Sequence, residues 1–493
     1  MAGTQSVGAR GGDDAATATK RRRVENGRAV APKAKPKAAA KPKAATKPKA
    51  ATKPKAAAKP RAAAKPRAAK TPKEPKQAEA APSGPAPFLK SRVAPVHALA
   101  ERPGRSGRVL VFGNGDCGQL GLGEDMIERK KPYPVPGIAD VEIADVVCGG
   151  LHTMALAADG RLFSWGCNDQ KALGRGGDEF AAAAVEGLDG VRVVRVACSD
   201  SATFALADDG HVYAWGTFRS AEGIMGFSAT VLVQDRPVAI NAFREPIVDL
   251  CAGVDHALAL SASGKVYAWG YGQQGQLGRL VMERRRLHGL TPERLRLHDV
   301  HHIGCGSYHS FAVTRAGAVY AWGLNNFHQL GLAPAEGGAA EIVYEPTAVS
   351  ALADARIVRI SGGEHHTIAL SADGRLFAFG RSDSHQTGLP FATLPADAVD
   401  SAGDGESHKK AITAPTPLAG LPPIADFACG SNHNIALTAD GHAYTWGYGE
   451  MLQLGNGEEA DIEQPTLLQG QKLDGKTVLR ASAGGQHTAV LAA

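Results

Sequence analysis

Residues 251–278 read CAGVDHALALSASGKVYAWGYGQQGQLG, and five further segments repeat their frame. They are CGGLHTMALAADGRLFSWGCNDQKALG from Cys148, ACSDSATFALADDGHVYAWGTFRSAEGIMG from Ala197, CGSYHSFAVTRAGAVYAWGLNNFHQLG from Cys305, SGGEHHTIALSADGRLFAFGRSDSHQTG from Ser361 and CGSNHNIALTADGHAYTWGYGEMLQLG from Cys429. The shared frame is G-x-x-H-x-x-A-L, a turn with Gly, an aromatic, Trp-Gly and finally Gln-Leu-Gly. Its His falls at His152, His256, His309, His366 and His433, while Ala202 replaces it in the second unit. Stretches such as HTMAL and RLFSW alternate in the manner of half-buried strands. The Ala-Asp-Gly between them supplies a hairpin turn. A period near 50 residues that is rich in short strands predicts propeller blades rather than a helical solenoid.

The ends of this region are each half a unit. RVLVFGNGDCGQLGLG (108–123) carries only the second half and AGGQHTAVLAA (483–493) only the first. Joined, they complete a seventh blade and close the ring, which removes the open edges of a linear array. The expected fold is therefore an all-β, seven-bladed propeller over 107–493, preceded by a linker at 91–106 and a tail at 1–90.

The tail differs in kind from the body. Residues 1–90 hold 23 Lys+Arg against 5 Asp+Glu, a net of +18, whereas the other 403 residues hold 32 against 44, a net of −12. Residues 31–76 are a Lys/Ala/Pro run without aromatics. Proline blocks helix and charge blocks collapse, so disorder is expected. Such a chain neutralises phosphates without reading bases, which predicts salt-sensitive DNA binding. Lys20, Arg21, Arg22 and Arg23 read as a nuclear-import signal with an import receptor as partner. Thr71 precedes Pro, and phosphate there would reduce the tail's charge.

The 7 Cys are odd in number and lack a CxxC pair. Cys148, Cys198, Cys251, Cys305 and Cys429 recur at the same point of the unit and are read as small buried residues rather than a disulfide framework. No signal-peptide core and no run of about 18 apolar residues is present, which predicts an intracellular protein without a membrane partner. His298, His301 and His302 lack the Cys or carboxylates that would complete a metal site, and no cofactor is expected. The insertion at 389–415 reads as a flexible loop.

Beyond the frame, GDCGQLGLGEDMIERKKP, SWGCNDQKALGR, WGTFRSAEGIMGF, GQQGQLGRL, LNNFHQLG and SGGEHHT resemble the regulator of chromosome condensation family, exchange factors for the small GTPase Ran. The resemblance covers nearly all of 107–493. It implies a nuclear, chromatin-bound protein that binds Ran on one face, speeds loss of GDP and Mg²⁺ and loads GTP without covalent chemistry. It implies roles in nucleocytoplasmic transport, spindle assembly and chromosome condensation. WGTFRSAEGIMG is similar to the family's β-wedge, a hairpin of the third blade, which would here be Phe218, Arg219, Ser220, Ala221, Glu222 and Gly223. Its Ser-Ala-Glu tip departs from the more polar family pattern. The resemblance further implies acidic Ran contacts at Asp116, Asp200 and Asp255 and a functional histidine at either His365 or His366. An acidic face suits such a partner by charge complementarity. Arg284, Arg285 and Arg286 in VMERRRLHGL are similar to the loop that grips the acidic patch of nucleosome core histones, where planar guanidinium forks pair well with carboxylates. Two alternatives remain at this point: a chromatin scaffold propeller without exchange activity, and a propeller enzyme, for which no nucleophile–base set is visible.

Overall fold

The computed structural model describes residues 84–88, 95–400 and 410–493. The expectations for the tail, including Lys20–Arg23 and Thr71, lie outside the described residues. Seven antiparallel sheets form the ring. Counted from the closing blade, their innermost strands are Val478–Ala483, Ile143–Cys148, Val193–Cys198, Ile247–Ala252, Val300–Cys305, Ile357–Gly362 and Ile424–Cys429. In the first blade, Arg108–Asn114 pairs with His487–Ala492, from Arg108 opposite Ala492 to Gly113 opposite His487. The two half-units thus close the propeller as the sequence predicts.

The second strand of every blade is buried along its whole length, as in His152–Ala157 and His256–Ser261. This corrects the half-buried reading. Each blade packs both faces against neighbours, so the polar positions of the alternation are buried as well. Trp165, Trp215, Trp269, Trp322 and Trp446 are at most 1% exposed and fill the spaces between blades. Asp-Gly turns join the second and third strands, with Gly160 at φ +95 and Gly210 at φ +88, where a side chain would be strained.

The polar positions are used by a hydrogen-bonded belt around the ring. His152 Nε2 meets Thr203 Oγ1 at 3.0 Å, His256 meets Ser310 Oγ at 2.8 Å, and His309 meets Thr367 Oγ1 at 3.0 Å. His366 meets Asn434 Oδ1, His433 meets Thr488 Oγ1 and His487 meets Thr153 Oγ1, each at 2.8 Å. Each hydroxyl or amide acceptor in turn donates to a main-chain carbonyl of the preceding blade, as Thr367 does to Gln329 O at 2.8 Å and Asn434 Nδ2 to Gln386 O at 2.7 Å. With its own proton spent there, the hydroxyl accepts from the imidazole, so Nε2–H is the donating tautomer. The Nδ1 atoms of these six histidines have no partner among the described residues. Burial accordingly lowers the pKa of His152 and His366 to about 4 and of His433 and His487 to about 3. The frame's glycine follows from the same packing: a Cβ on Gly149, Gly253 or Gly363 would collide with the His ring three residues on.

The third residue of each innermost strand faces the central channel, a cavity of about 430 Å³. In ring order these residues are Asp145, Arg195, Asp249, His302, Arg359, Asp426 and Arg480. Arg359 pairs with Asp426, and Arg480 approaches Asp426 at 3.3 Å. The Ile360 amide donates to His302 Nε2 at 3.2 Å. Burial, reinforced by Arg359, lowers the His302 pKa to about 3. His301, the next residue on the strand, turns away to Val313 O at 3.1 Å.

Three expectations change in detail. Cys148, Cys198, Cys305 and Cys429 share one register position, but Ala252 occupies it in the fourth blade and Cys251 sits one residue earlier. All seven cysteines are free, and Cys251 Sγ lies 3.0 Å from Cys305 Sγ. Part of the 389–415 insertion is ordered: Val399–Asp400 pairs with Ala411–Ile412 as a fifth strand of the sixth blade, and His328 Nε2 meets Asp400 at 3.2 Å. Residues 95–106, read as a linker, are tied down: the Val96 and His97 amides donate to Ala262 O, His97 Nε2 meets Val300 O at 2.8 Å, and Arg195 Nη1 donates to Glu101 O at 2.7 Å. Ala262 lies at a hairpin-turn end, so this segment follows the face opposite the G-x-x-H loops.

Candidate interaction face

The G-x-x-H loops surround the other end of the channel, and the two residues before each repeat position form its rim. Asp200 and Asp255, expected as partner contacts, lie there, and Glu364, Tyr308 and Asn432 join them. Crowding by surrounding protein, then by Asp255 and Glu364, pushes the Asp200 pKa up to about 7, although its residue surface meets solvent. Burial pushes Asp255 up to about 6, opposed by the Arg219 amide. The rim is thus a group of carboxylates whose ionisation the surrounding protein and their mutual proximity oppose. Sequence reading missed Glu364, Tyr308 and Asn432. Their signal is positional, since all three fall one or two residues before a repeat His.

Packing separates the two histidines. His366 is the belt residue and is fully buried. His365 is at the rim, with its Nδ1 3.4 Å from Gln329 Nε2 and its ring 4.9 Å from that of Phe327. Asp116 is exposed in the first blade's turn, where Gln119 Nε2 approaches its carboxylate at 3.4 Å.

The predicted wedge is a hairpin of Phe218–Ser220 and Gly223–Gly226, with Ala221 and Glu222 at its tip. It leaves the third strand of the third blade at Gly216, on the same face as the carboxylate rim. Its base is held at three points. Phe218 is 1% exposed, Thr217 Oγ1 donates to Leu232 O at 2.6 Å, and the Arg219 amide donates to Asp255 Oδ1 at 2.6 Å. Asp255, expected as a partner contact, therefore also fixes the wedge to the fourth blade.

The wedge interrupts the belt. Its blade lacks the His (Ala202), the next blade lacks the hydroxyl (Ala257), and the Gln-Leu-Gly turn has become the hairpin itself. Phe218 fills the space in one apolar cluster with Ala202, Phe204, Ala257 and Trp269. Its ring centroid is 5.9 Å from that of Phe204. A Cβ on Gly270 would come within 2.9 Å of Phe218 Cε1. Ser199 stands where the frame has Gly, because no imidazole covers it. Its Oγ instead accepts the Ala202 amide at 2.9 Å.

Arg284, Arg285 and Arg286 lie in two 3-10 turns spanning Glu283–Leu290. Arg284 and Arg285 are exposed, and Arg286 Nη1 meets Glu222 of the wedge tip at 2.7 Å and Glu283 at 2.9 Å. The basic loop and the wedge thus share one face and touch. Exposed apolar side chains collect beside them, namely Ile224, Leu232, Leu280, Met282 and Leu287. A carboxylate rim, a hairpin anchored at its base and an adjoining loop of Arg and exposed apolar residues thus share one face, the kind of mixed surface that suits macromolecular partners.

The family model described as "RCC1-like domain" matches residues 108–490. The mouse protein "Regulator of chromosome condensation" is 36% identical over 409 residues, covering 78% of this chain and 90% of that protein. "Guanine nucleotide exchange factor SRM1" of Saccharomyces cerevisiae is 36% identical over 423 residues, covering 77% and 86%. The crystal structure of Prp20p from the same yeast, described with its binding to Gsp1p and histones, superimposes with a TM-score of 0.75 at 36% identity, covering 80% of this chain and 93% of that one. With the half-unit closure, the six-link belt and the third-blade hairpin all in place, this chain belongs to the RCC1-like, regulator of chromosome condensation family.

Proposed function

We propose that this protein is a guanine-nucleotide exchange factor for the small GTPase Ran, held on chromatin in the nucleus. The observation that carries the reading is the hairpin Phe218–Gly226, rooted in the ring beside the carboxylates Asp200, Asp255 and Glu364. A basic GTPase surface favours the ionised forms of these carboxylates and is oriented by them. The wedge then presses on the nucleotide site and favours the nucleotide-free form. Binding that form more tightly than the loaded one lowers the barrier to GDP release, and no bond is made or broken by the propeller. GTP and Mg²⁺ rebind and expel the factor. His365 and Asp116 add contacts at the edge of the same face. The relative named as an exchange factor and the yeast propeller described with Gsp1p support this reading.

Chromatin engagement is assigned to two basic elements. Arg284, Arg285 and Arg286 would pair with the acidic patch of nucleosome core histones, and residues 1–90 would contact DNA phosphates. Lys20, Arg21, Arg22 and Arg23 would engage an import receptor. The histones named with Prp20p support the first of these. The test is release of fluorescent GDP from Ran by the full-length chain, with and without nucleosomes. Acceleration is expected in both conditions, and none at micromolar protein would refute the proposal.

A further inference from the structure

The belt joins six of the seven blade junctions, and the missing link coincides with the wedge. The gap is compound. Ala202 stands for the imidazole and Ala257 for the hydroxyl, and both are at most 1% exposed. A lost imidazole alone would leave a cavity and take a donor away from a buried hydroxyl, each of which costs stability. Here both polar partners are gone together and an aromatic ring fills the volume. Ala202, Ala257 and Gly270 bound a socket whose occupant, Phe218, is the first residue of the hairpin.

We propose that Ala202 and Ala257 are positioning residues that form a seat for the wedge, so that the junction between the third and fourth blades is specialised to aim the hairpin. This rests on the exchange reading above. Phe218 anchors one end of a short hairpin whose next amide, Arg219, is held 2.6 Å from Asp255 of the neighbouring blade. A ring fixed between Phe204, Trp269 and the two alanines sets the angle at which the backbone leaves the propeller. A hydroxyl at 257 and an imidazole at 202 would take that volume and re-form the belt link, and Phe218 would have to leave. The rim carboxylates would still capture the GTPase, but the tip would miss its target.

The test compares full-length variants. Ala202→His with Ala257→Thr restores the link. Phe218→Ala empties the seat and Phe218→Leu refills most of it. His309→Ala with Thr367→Ala copies the alanine pair into a junction without a wedge. Exchange on Ran·GDP gives kcat and KM, and hydrogen exchange reports protection of the Arg219 amide. The restored link and Phe218→Ala should lower kcat at least about ten-fold, as misplacement by an ångström does, with KM within about two-fold. Both should expose the Arg219 amide. Phe218→Leu should recover most of kcat, and the His309/Thr367 pair should lower stability but leave kcat near wild type. Unchanged kcat and Arg219 protection in the restored-link or Phe218→Ala variant overturns the seat, as does an equal fall in kcat in the His309/Thr367 pair. If wild type does not exchange, the reading of function fails. Arg219 protection alone then decides the seat, and equal protection in wild type and Phe218→Ala rejects it.

Discussion

Acidification is the sharpest test of the belt. His152, His366, His433 and His487 are buried and neutral, with pKa values of about 4, 4, 3 and 3. In the unfolded chain each returns to about 6.5. The folded pKa is depressed, so at pH 5 the unfolded chain binds protons that the folded ring refuses. Stability is therefore full above about pH 7 and falls as pH drops through 6.5 towards 4. Between pH 7 and 5 each histidine loses about 2 kcal/mol of stabilisation, so the four together lose about 8 kcal/mol. That is comparable to the whole stability of an ordinary domain, about 5–15 kcal/mol. The rim carboxylates Asp200 and Asp255 act in the opposite sense, because their raised pKa values favour the folded state as pH falls. Burial raises Asp145 and Asp249 in the channel in the same sense, but His302 and His309 are lowered as the other four histidines are, so the carboxylates offset only part of the loss. Urea unfolding followed by fluorescence of the five buried tryptophans should show the midpoint dropping steeply between pH 7 and 5. His433→Gln keeps an N–H donor for Thr488 and cannot take up a proton, so it should remove about 2 kcal/mol of that dependence. A stability that is flat from pH 7 to 5 would refute the neutral-belt argument.

Other outcomes follow from the two basic elements and the channel. Arg284→Ala with Arg285→Ala should weaken nucleosome binding measured by fluorescence polarisation, while Arg286→Ala should in addition slow exchange, because it frees Glu222. Removing residues 1–90 should flatten the dependence of DNA affinity on salt, measured as the slope of log K against log salt. His302→Arg should destabilise the ring by placing a second cation beside Arg359, with only Asp249, which already faces Arg195, to offset it, whereas His302→Asn should cost far less; urea midpoints of the two variants give the comparison.

The closing of the ring was legible because the half-units at 108–123 and 483–493 complement each other without structural knowledge. The wedge was legible through the resemblance of WGTFRSAEGIMG to the family's hairpin, and the structure explains why Ala202 belongs to it. The channel residues were not legible. They fall at one register position, but Asp, Arg and His share no composition, so no single blade announces them. The burial of both faces of the second strands was hidden for another reason: Thr153, Ser310 and Asn434 look like solvent positions until the neighbouring blade supplies their partners. The contact between Glu222 and Arg286 joins residues 64 apart in sequence, and nothing local to either marks it.

The channel residues also carry a lesson in parity. Going round the ring, anion and cation succeed one another from Asp145 through Arg480 and back to Asp145. A circle with an even number of places can alternate for ever. A circle of seven cannot, and somewhere two like signs must stand side by side. In this chain that place is His302 next to Arg359, and it is given to an imidazole, which burial and Arg359 keep neutral. Three basic and three acidic side chains then remain, and the odd member is a neutral spacer. The blade count thus fixes not only the shape of the ring but the chemistry of at least one residue inside it.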